Sequence, residues 1–369
     1  MLGLRQVMGR VALMSAAQCD SNVYDEKNAR GFFADLRKCC CAASWGGWPK
    51  VSLQVPGGNS LAVCTARAIL IFVQGAAMEI PRYPQSRCIE LTDKPLLDRL
   101  FLELQPRISE LTFANLFLFR KVHNYRLTRV GDALVALGCG YDSAPYFLPP
   151  FSGERGSAAR ELIEEGLTLY GADDLFLERE LKREGLEVLP DRDNFDYLHL
   201  KEEMAELAGK SYHKKKNRVK YFMVRHRYAV EQLADGHLDG ALALLHEWLR
   251  VRSEMGPDSL QGEAEGAAQA LRLHKELGLS GVVLLVDGVV RGFALGERLN
   301  SETAVCHFEK GDLFMEGLYQ LLDREFSRLL FTDCRYLNRE QDLGQESLRQ
   351  SKLSYRPIEL IRKYRVRRP

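Results

Sequence analysis

The chain contains 369 residues, of which 46% are hydrophobic and 27% charged, a composition typical of a soluble globular protein with two domains. Its 51 basic and 50 acidic residues leave a formal net charge of +1, which excludes a chain-wide basic field for nucleic acids but leaves local basic patches open. No apolar run approaches the ~20 residues that a transmembrane helix requires, so we predict no membrane-spanning segment.

Residues 1–77 differ from the rest of the chain. They contain eight basic and four acidic residues, a lower charge density than the remainder, and the run Cys39-Cys40-Cys41. The sequence leaves three hypotheses open for them: a small accessory segment, a disordered segment, or an untranslated stretch in front of a start at Met78. After this segment we predict two domains, residues 78–237 and residues 238–369.

The nine cysteines indicate neither a disulfide framework nor a metal site. Their number is odd, no Cys-x-x-Cys or His-x-x-x-His pair occurs, and no secretory signal precedes them. These features predict a reduced, cytoplasmic protein without a bound metal ion.

Helices and strands are mixed after residue 78. Apolar residues at spacings of three and four predict helices at residues 93–105, 113–120, 157–170, 201–207, 238–251 and 318–329. Apolar runs bounded by turn signals predict strands at residues 125–130, 133–137, 146–151, 282–286, 289–295 and 303–309. Pro149 and Pro150 place the third of these strands at a sheet margin. Residues 253–266, rich in Gly, Glu and Ser, predict a domain boundary or a flexible lid, and the mixture of elements predicts an α/β or α+β fold.

Residues 210–227 form a basic block that contains no acidic residue. Its eight cations are Lys210, Lys214, Lys215, Lys216, Arg218, Lys220, Arg225 and Arg227. Aromatic residues lie between them, and this combination suits a polyanion whose phosphates need charge and whose bases can stack. The alternative is a solvated helix face, but eight cations without a carboxylate repel one another, so we favour an anionic partner.

A polar strand follows at residues 306–312. Strand alternation predicts that His307 and Glu309 share one face, while Cys306 and Phe308 share the other. A His/Glu pair can act as a general base and its orienting partner. Asp312 would cap the next helix or contact an amine substrate. The alternative, a polar strand face that bonds its neighbours, is favoured when this segment is considered alone.

A dense polar loop completes the candidate residues. It contains Asn338, Arg339, Glu340, Asp342, Arg349 and Lys352. A structural salt-bridge cluster explains this loop as well as a binding site does. Common nucleotide and hydrolase motifs are absent, because the chain has no Gly-x-x-x-x-Gly-Lys-[Ser/Thr] and no Gly-x-Ser-x-Gly, and Gly138-x-Gly140 lacks a third glycine.

Four blocks together resemble a known family. They are residues 111–120, 210–222, 307–312 and 338–355, and they occur in order within residues 79–366. The pattern is similar to the bacterial family with the phosphatidylglycerol lysyltransferase C-terminal domain. The resemblance implies two tandem GNAT-type acyltransferase domains, with mixed sheets flanked by helices, similar to the Fem-type aminoacyltransferases. It also implies transfer of an aminoacyl group from a charged tRNA to an amine or hydroxyl acceptor.

The resemblance gives the candidate residues their expected roles. Lys214, Lys215, Lys216 and Arg218 would hold phosphates of the donor tRNA, which needs no further cofactor. His307, Glu309 and Asp312 would be catalytic, deprotonating or orienting the attacking group. Asn338, Arg339, Glu340, Asp342, Arg349 and Lys352 would bind the acceptor, which stays open as a small molecule, a peptide or a lipid.

Two alternatives to an aminoacyltransferase stay open. One is an acyl-CoA-dependent N-acyltransferase, although the usual pyrophosphate loop does not follow Glu309 because Gly311 and Gly317 are too far apart. The other is a non-catalytic module that binds RNA or another polyanion on the same fold, since fold alone does not determine function.

Overall fold

The computed structural model of the protein describes residues 79–140, 143–253 and 259–369. Its helices are α1 (Lys94–Leu104), α2 (Phe113–Leu118), α3 (Arg155–Glu164), α4 (Asp174–Arg179), α5 (Lys201–Glu206), α6 (His213–Arg225), α7 (Leu238–Ser253), α8 (Ser259–Arg272), α9 (His274–Leu277), α10 (Leu318–Leu329) and α11 (Glu346–Leu353). No helix within these ranges is long and apolar enough to cross a membrane. The expectations for residues 1–77 lie outside the described residues.

The strands build two seven-stranded sheets. They are β1 (Arg87–Cys88), β2 (Arg126–Val130), β3 (Ala133–Cys139), β4 (Pro145–Phe147), β5 (Thr168–Ala172), β6 (Glu187–Pro190), β7 (Asp196–Leu200), β8 (Tyr228–Gln232), β9 (Ser280–Val286), β10 (Val289–Arg298), β11 (Thr303–Gly311), β12 (Tyr336–Asn338), β13 (Glu359–Ile361) and β14 (Tyr364–Arg367). The first sheet has the order β1-β2-β3-β4-β5-β14-β6 and the second β13-β7-β12-β11-β10-β9-β8. Two mixed sheets flanked by helices confirm the predicted fold class.

The chain passes between the two sheets more than once. β1–β6 belong to the first sheet and β7–β13 to the second, after which β14 returns to the first. Both sheets lie in one compact unit. In each sheet the described strands include one parallel pair, β4–β5 in the first and β11–β12 in the second. The domain boundary between residues 237 and 238 stays a prediction.

Local signals place the hairpins and the principal amphipathic helix correctly. Asp287 and Gly288 both have positive φ, which a tight two-residue turn between β9 and β10 requires. In α10 the apolar stripe of Leu318, Leu322 and Phe326 is buried against β9, β10 and β11. The predicted hairpins and helix are therefore confirmed.

Three predicted elements differ from the structure in their extent or setting. β4 ends at Phe147, before the two prolines, and lies between β3 and β5, so the prolines lie outside its ladder and it is not at a sheet margin. The predicted helix 157–170 ends at Glu164, and Gly166, with φ of +93°, separates it from β5. The predicted loop 253–266 is helical from Ser259 onwards, in α8.

The glycines that suggested a loop in α8 serve close packing instead. A Cβ atom at Gly262 would lie 2.9 Å from Cγ2 of Val122, and one at Gly266 would lie 3.4 Å from the ring of Phe308. A glycine is tolerated in a helix where a neighbour must approach the backbone this closely. Residues 254–258 of the predicted lid lie outside the described residues.

A buried ion triad joins three distant segments. The Lys363 ammonium, between β13 and β14, donates to both carboxylate oxygens of Glu110 at 2.7 and 2.6 Å and to Asp196 Oδ1 at 2.7 Å. Ser109 also donates to Asp196, through its backbone N–H and its hydroxyl. Burial raises the pKa of Glu110, and the Lys363 charge acts in the opposite direction. The contacts of Lys363 with Glu110 and Asp196 therefore fix the position of the C-terminal segment relative to both sheets.

Replacing Lys363 by Met should destabilise the protein by about 3–5 kcal/mol, because Glu110 and Asp196 would then face each other without a counter-charge. The free energy of unfolding in urea at neutral pH measures this loss. The control is Arg367→Gln, which removes a more exposed pair with Glu187 and should cost at most about 1 kcal/mol. Equal losses in the two variants would contradict a structural role for the triad.

Candidate functional site

The strands of the parallel pair β11–β12 separate after three residue pairs. They pair from Thr303 with Tyr336 to Val305 with Asn338, after which β11 continues to Gly311 without β12, paired with β10 on its other side. We call the point beyond Val305 and Asn338 the fork. Ligands of open sheets that contain parallel strands commonly bind where the carboxyl ends of such strands diverge. His307 and Glu309 follow the fork on one strand, and the loop that begins at Arg339 follows it on the other.

Asn338 fixes the geometry of the fork on the β12 side. Its side chain is fully buried, with Oδ1 accepting from the backbone N–H of Glu340 at 2.7 Å and Nδ2 donating to Asp196 at 3.0 Å. Glu340 has a φ of +55°, so the chain turns sharply here. Asn338 thus holds the loop in its conformation, and its expected contact with the acceptor stays a prediction.

A β-bulge at His307 changes the predicted faces of β11. Leu295 pairs with Phe308 and Gly296 pairs with Cys306, which leaves His307 as the extra residue. A Cβ atom at Gly296 would lie 2.0 Å from the carbonyl oxygen of Val305, so only glycine fits there. Cys306 packs against the core cluster beneath α10, whereas Phe308 belongs to the other cluster. The prediction that Cys306 and Phe308 share a face is therefore wrong.

His307 is held between two carboxylates. Its Nδ1 lies 2.7 Å from Oε1 of Glu340, and its Nε2 lies 2.9 Å from Oε1 of Glu297 on β10. Burial lowers the pKa of this imidazole, but the two carboxylates outweigh burial and raise the pKa to about 10. The ring is therefore charged at neutral pH and donates both N–H groups. This state suits orientation of the loop rather than proton abstraction.

Glu309 lies in a separate charged cluster around Arg339. The Arg339 Nη2 atom lies 2.9 Å from Oε2 of Glu309 and 2.7 Å from Oδ1 of Asp323, which α10 contributes. The guanidinium carbon lies 4.9 Å from the centre of the Tyr355 ring. Burial raises the pKa of Glu309, Asp323 adds to the rise, and Arg339 opposes it. A carboxyl whose pKa is raised in this way is a candidate general base.

Glu309 and Arg339 each have one atom with unused hydrogen-bonding capacity. Oε1 of Glu309 and Nη1 of Arg339 are buried and have no hydrogen-bond partner within the part of the chain that the structure describes. Buried polar atoms are nearly always paired in folded proteins. Glu309 and Arg339 are in contact, and one has an unpaired hydrogen-bond acceptor and the other an unpaired hydrogen-bond donor. This combination indicates a binding site for a polar ligand.

The basic block forms α6, whose inner side packs on the core. Val219 and Phe222 are buried, while Lys214, Lys216 and Arg218 are exposed. α6 therefore has a charged face in solvent and an apolar face packed on the core. A Cβ atom at Gly317, just before α10, would lie 2.2 Å from the carbonyl oxygen of Arg218, so the two backbones are in direct contact.

Lys215 connects the basic block to the Arg339 cluster. Its Nζ atom lies 3.8 Å from the centre of the Tyr355 ring and donates to the Ser354 hydroxyl at 2.6 Å. Burial lowers the pKa of Lys215 to about 8. Lys215 and Arg339 both contact the Tyr355 ring. Lys215, which is expected to bind the donor tRNA, therefore lies close to the candidate catalytic carboxyl of Glu309.

The remaining loop residues brace the loop itself. Asp342 is fully buried and accepts hydrogen bonds from Arg349 at 2.9 and 3.1 Å, from Arg192 at 3.0 Å and from the Tyr197 hydroxyl. Burial would raise the pKa of Asp342, but these donors lower it to about 2. Lys352 donates to the carbonyl oxygen of Arg339 at 2.6 Å, and burial lowers its pKa to about 8. These contacts fix the backbone of the loop that carries Arg339.

Asp312 lies in the turn after β11, away from these clusters. Its Oδ1 accepts from the backbone N–H of Phe314 at 3.0 Å, and its Oδ2 lies 3.4 Å from Nη1 of Arg291. The N-cap of α10 is Gly317, so the prediction that Asp312 caps this helix is wrong. Its proposed contact with an amine substrate stays a prediction.

The sequence analysis missed two carboxylates of the site. Glu297 reaches His307 from the neighbouring strand β10, and the pairing of β10 with β11 was not among the sequence predictions. Asp323 reaches Arg339 from α10 and is only 7% exposed. The sequence did contain a signal for Asp323, because this carboxylate lies beside the apolar stripe of the predicted helix 318–329.

Comparison with known proteins confirms the resemblance seen in the sequence. The family model described as phosphatidylglycerol lysyltransferase, C-terminal, matches residues 101–367. A conserved protein of unknown function from Bacteroides thetaiotaomicron has 28% identity and a TM-score of 0.70, over 76% of this chain and 98% of that chain. L-PGS from Bacillus licheniformis has 14% identity and a TM-score of 0.52, over 79% and 94%, a likeness of fold alone. None of the curated proteins compared with the chain matches it.

Replacing His307 by Gln should cost about 3–5 kcal/mol of unfolding free energy at pH 6, because Glu297 and Glu340 lose their shared cation. The pKa of His307 is raised in the folded state, so its charge stabilises the fold fully below about pH 6.5. That contribution is lost as the pH rises towards 10, and the difference between the two proteins should shrink accordingly.

Urea unfolding at pH 6, 8 and 10 measures this difference. The matched control is His246→Gln on α7, since His246 is exposed and should show a small difference at every pH. A loss for His307→Gln that stays constant from pH 6 to pH 10 would contradict a charged imidazole.

Proposed function

The chain belongs to the phosphatidylglycerol lysyltransferase C-terminal family, and on this basis we propose that it is an acyltransferase that moves an aminoacyl group from charged tRNA to an amine or hydroxyl acceptor. The observation that carries the proposal is the buried Glu309–Arg339 pair at the fork, with one unpartnered oxygen and one unpartnered nitrogen in the described structure. The pair adjoins an exposed basic helix through Lys215 and Tyr355.

Glu309 is the proposed general base. The acceptor nitrogen or oxygen attacks the carbonyl carbon of the aminoacyl ester, and its proton passes to Oε1 of Glu309. The ester bond between that carbon and the ribose oxygen then breaks, and the ribose oxygen takes the proton back from Glu309. A raised pKa supports this role because a base acts best when its pKa is close to the working pH.

Arg339 is the proposed electrostatic partner of the reaction. Its Nη2 is engaged by Glu309 and Asp323, while Nη1 is free to donate to the oxygen that becomes negative in the tetrahedral intermediate. Fixed donors in a buried site stabilise such an oxyanion far better than mobile water does. His307 and Lys352 act as positioning residues, since they hold Glu340 and the Arg339 carbonyl.

The exposed cations of α6 are the proposed phosphate contacts. Lys214, Lys216 and Arg218 lie within two turns of one helix and are exposed. Such contacts position a nucleic acid without reading its sequence, and their strength falls steeply with salt. Lys215 extends from the same helix towards Tyr355. In this proposal it lies between the phosphates on α6 and the reacting ester at Glu309 and Arg339.

The triple variant Lys214→Gln, Lys216→Gln, Arg218→Gln should bind tRNA at least tenfold more weakly than the wild type at 50 mM salt. Its plot of log affinity against log salt should lose about three units of slope, since each phosphate contact contributes about one. Filter binding of bulk tRNA, charged with a mixture of labelled amino acids or deacylated, measures both quantities at 50 and 200 mM salt.

The control for this variant replaces three exposed cations elsewhere, Lys121, Lys182 and Arg183, each by Gln, and should keep the wild-type affinity. We expect a preference for charged tRNA. Equal binding of charged and deacylated tRNA without turnover would support the polyanion-binding module instead. Thermal stabilisation by CoA without tRNA binding would support the acyl-CoA enzyme.

Replacing Glu309 by Gln should lower the acceptor-dependent release of amino acid from charged tRNA by about 10²–10⁴-fold, the usual loss of a general base. Binding of charged tRNA should change by less than about threefold, because the phosphate contacts are intact. The assay offers pooled amines, peptides and phospholipids as acceptors. Glu302→Gln, at an exposed position before β11, is the control, and an unchanged release rate for Glu309→Gln would overturn the assignment.

A further inference from the structure

The first sheet has a fork of its own, and a cavity lies there. β4 and β5 pair only at Tyr146 with Thr168 and Phe147 with Leu169. The prolines Pro149 and Pro150 follow β4 and cannot donate to the ladder, so the two strands part. Pro149 and Gly171 line a cavity of about 130 Å³ at this point. It is separate from the Glu309–Arg339 pair and shares no lining residue with it.

Positive groups with unused donors line one part of this cavity. Arg155 donates through Nε to the Pro150 carbonyl at 2.7 Å and through Nη1 to Glu180 at 3.1 Å, and it lies 5.0 Å from the Phe176 ring centre. Its Nη2 has no hydrogen bond among the residues that the structure describes. Arg179, at the end of α4, is exposed and has no ion pair in that part of the chain.

The acidic residue Asp173 also lines this cavity and has an unused acceptor. Asp173 follows β5, and its Oδ1 accepts from the backbone N–H of Phe176 at 2.8 Å. Its Oδ2 has no hydrogen bond to any described residue, so it remains available to a ligand. Apolar side chains complete the wall, namely Leu104, Ile108, Leu111, Leu175 and Phe176.

We propose that this cavity binds a free α-amino acid with an apolar side chain. The carboxylate of the ligand contacts Arg155 and Arg179, its ammonium contacts Oδ2 of Asp173, and its side chain packs on the apolar wall. Arginine offers parallel N–H groups that match a carboxylate, which favours this group over other anions. A simple carboxylic acid would leave Oδ2 of Asp173 without a partner, and a simple amine would leave Nη2 of Arg155 and the Arg179 guanidinium without one.

Binding to the full chain, measured by isothermal titration calorimetry, tests the proposal with L-leucine as the probe. The analogues are 4-methylpentanoate, which lacks the ammonium, and 3-methylbutylamine, which lacks the carboxylate. We expect saturable binding of leucine and at least tenfold weaker binding of either analogue. Absence of leucine binding at millimolar concentration, or equal binding of leucine and 3-methylbutylamine, would overturn the proposal.

Two variants assign the contacts without removing structural groups. Asp173→Asn keeps an oxygen for the Phe176 N–H and should weaken leucine at least tenfold while leaving 4-methylpentanoate unchanged. Arg179→Gln should weaken both ligands, and Arg183→Gln, exposed and outside the cavity, should weaken neither. Leucine affinity that is the same in Asp173→Asn as in the wild type would also overturn the proposal. Because no step involves tRNA or Glu309, these results are independent of the proposed acyl transfer.

Discussion

The charge of Arg339 is the constraint on which the site depends. A guanidinium taken out of water needs counter-charges close by, and Glu309 and Asp323 supply them from a strand and a helix that are distant in sequence. Burial raises the pKa of Glu309, and the second carboxyl around the cation, Asp323, raises it further. The same arrangement therefore stabilises the buried charge and prepares a carboxyl for proton transfer.

The loop that carries Arg339 is held at three points by different chemistry. His307 contributes a charged imidazole at Glu340, Lys352 contributes an ammonium at two backbone carbonyls, and Asp342 contributes a carboxylate to a pair of arginines. Such a loop loses little further entropy when a ligand binds, because its side chains are already ordered. Preorganisation of this kind is what an electrostatically catalysed transfer requires.

Short-range signals predicted much of the fold, and long-range pairing explains the rest. The hairpins and α10 depend on turn residues and apolar spacing within a few residues, so they were accessible from the sequence. β5 was missed because the apolar spacing that predicts a helix from residue 157 continues into Thr168–Ala172, whereas the chain leaves the helix at Gly166, before β5 begins. His307, Glu309 and Arg339 were found as candidates, but the bulge at His307 and the partners Glu297 and Asp323 depend on tertiary neighbours that one sequence does not reveal.

The contact between Gly317 and the Arg218 carbonyl also limits how this architecture can vary. A contact between two backbones has no side chain that could adjust, so α6 and the start of α10 can move only together. A chain that keeps its basic helix in this position relative to α10 must keep a glycine before α10. An insertion in either segment would need a matching change in the other. The two stretches therefore form one structural unit, although about ninety residues of sequence separate them.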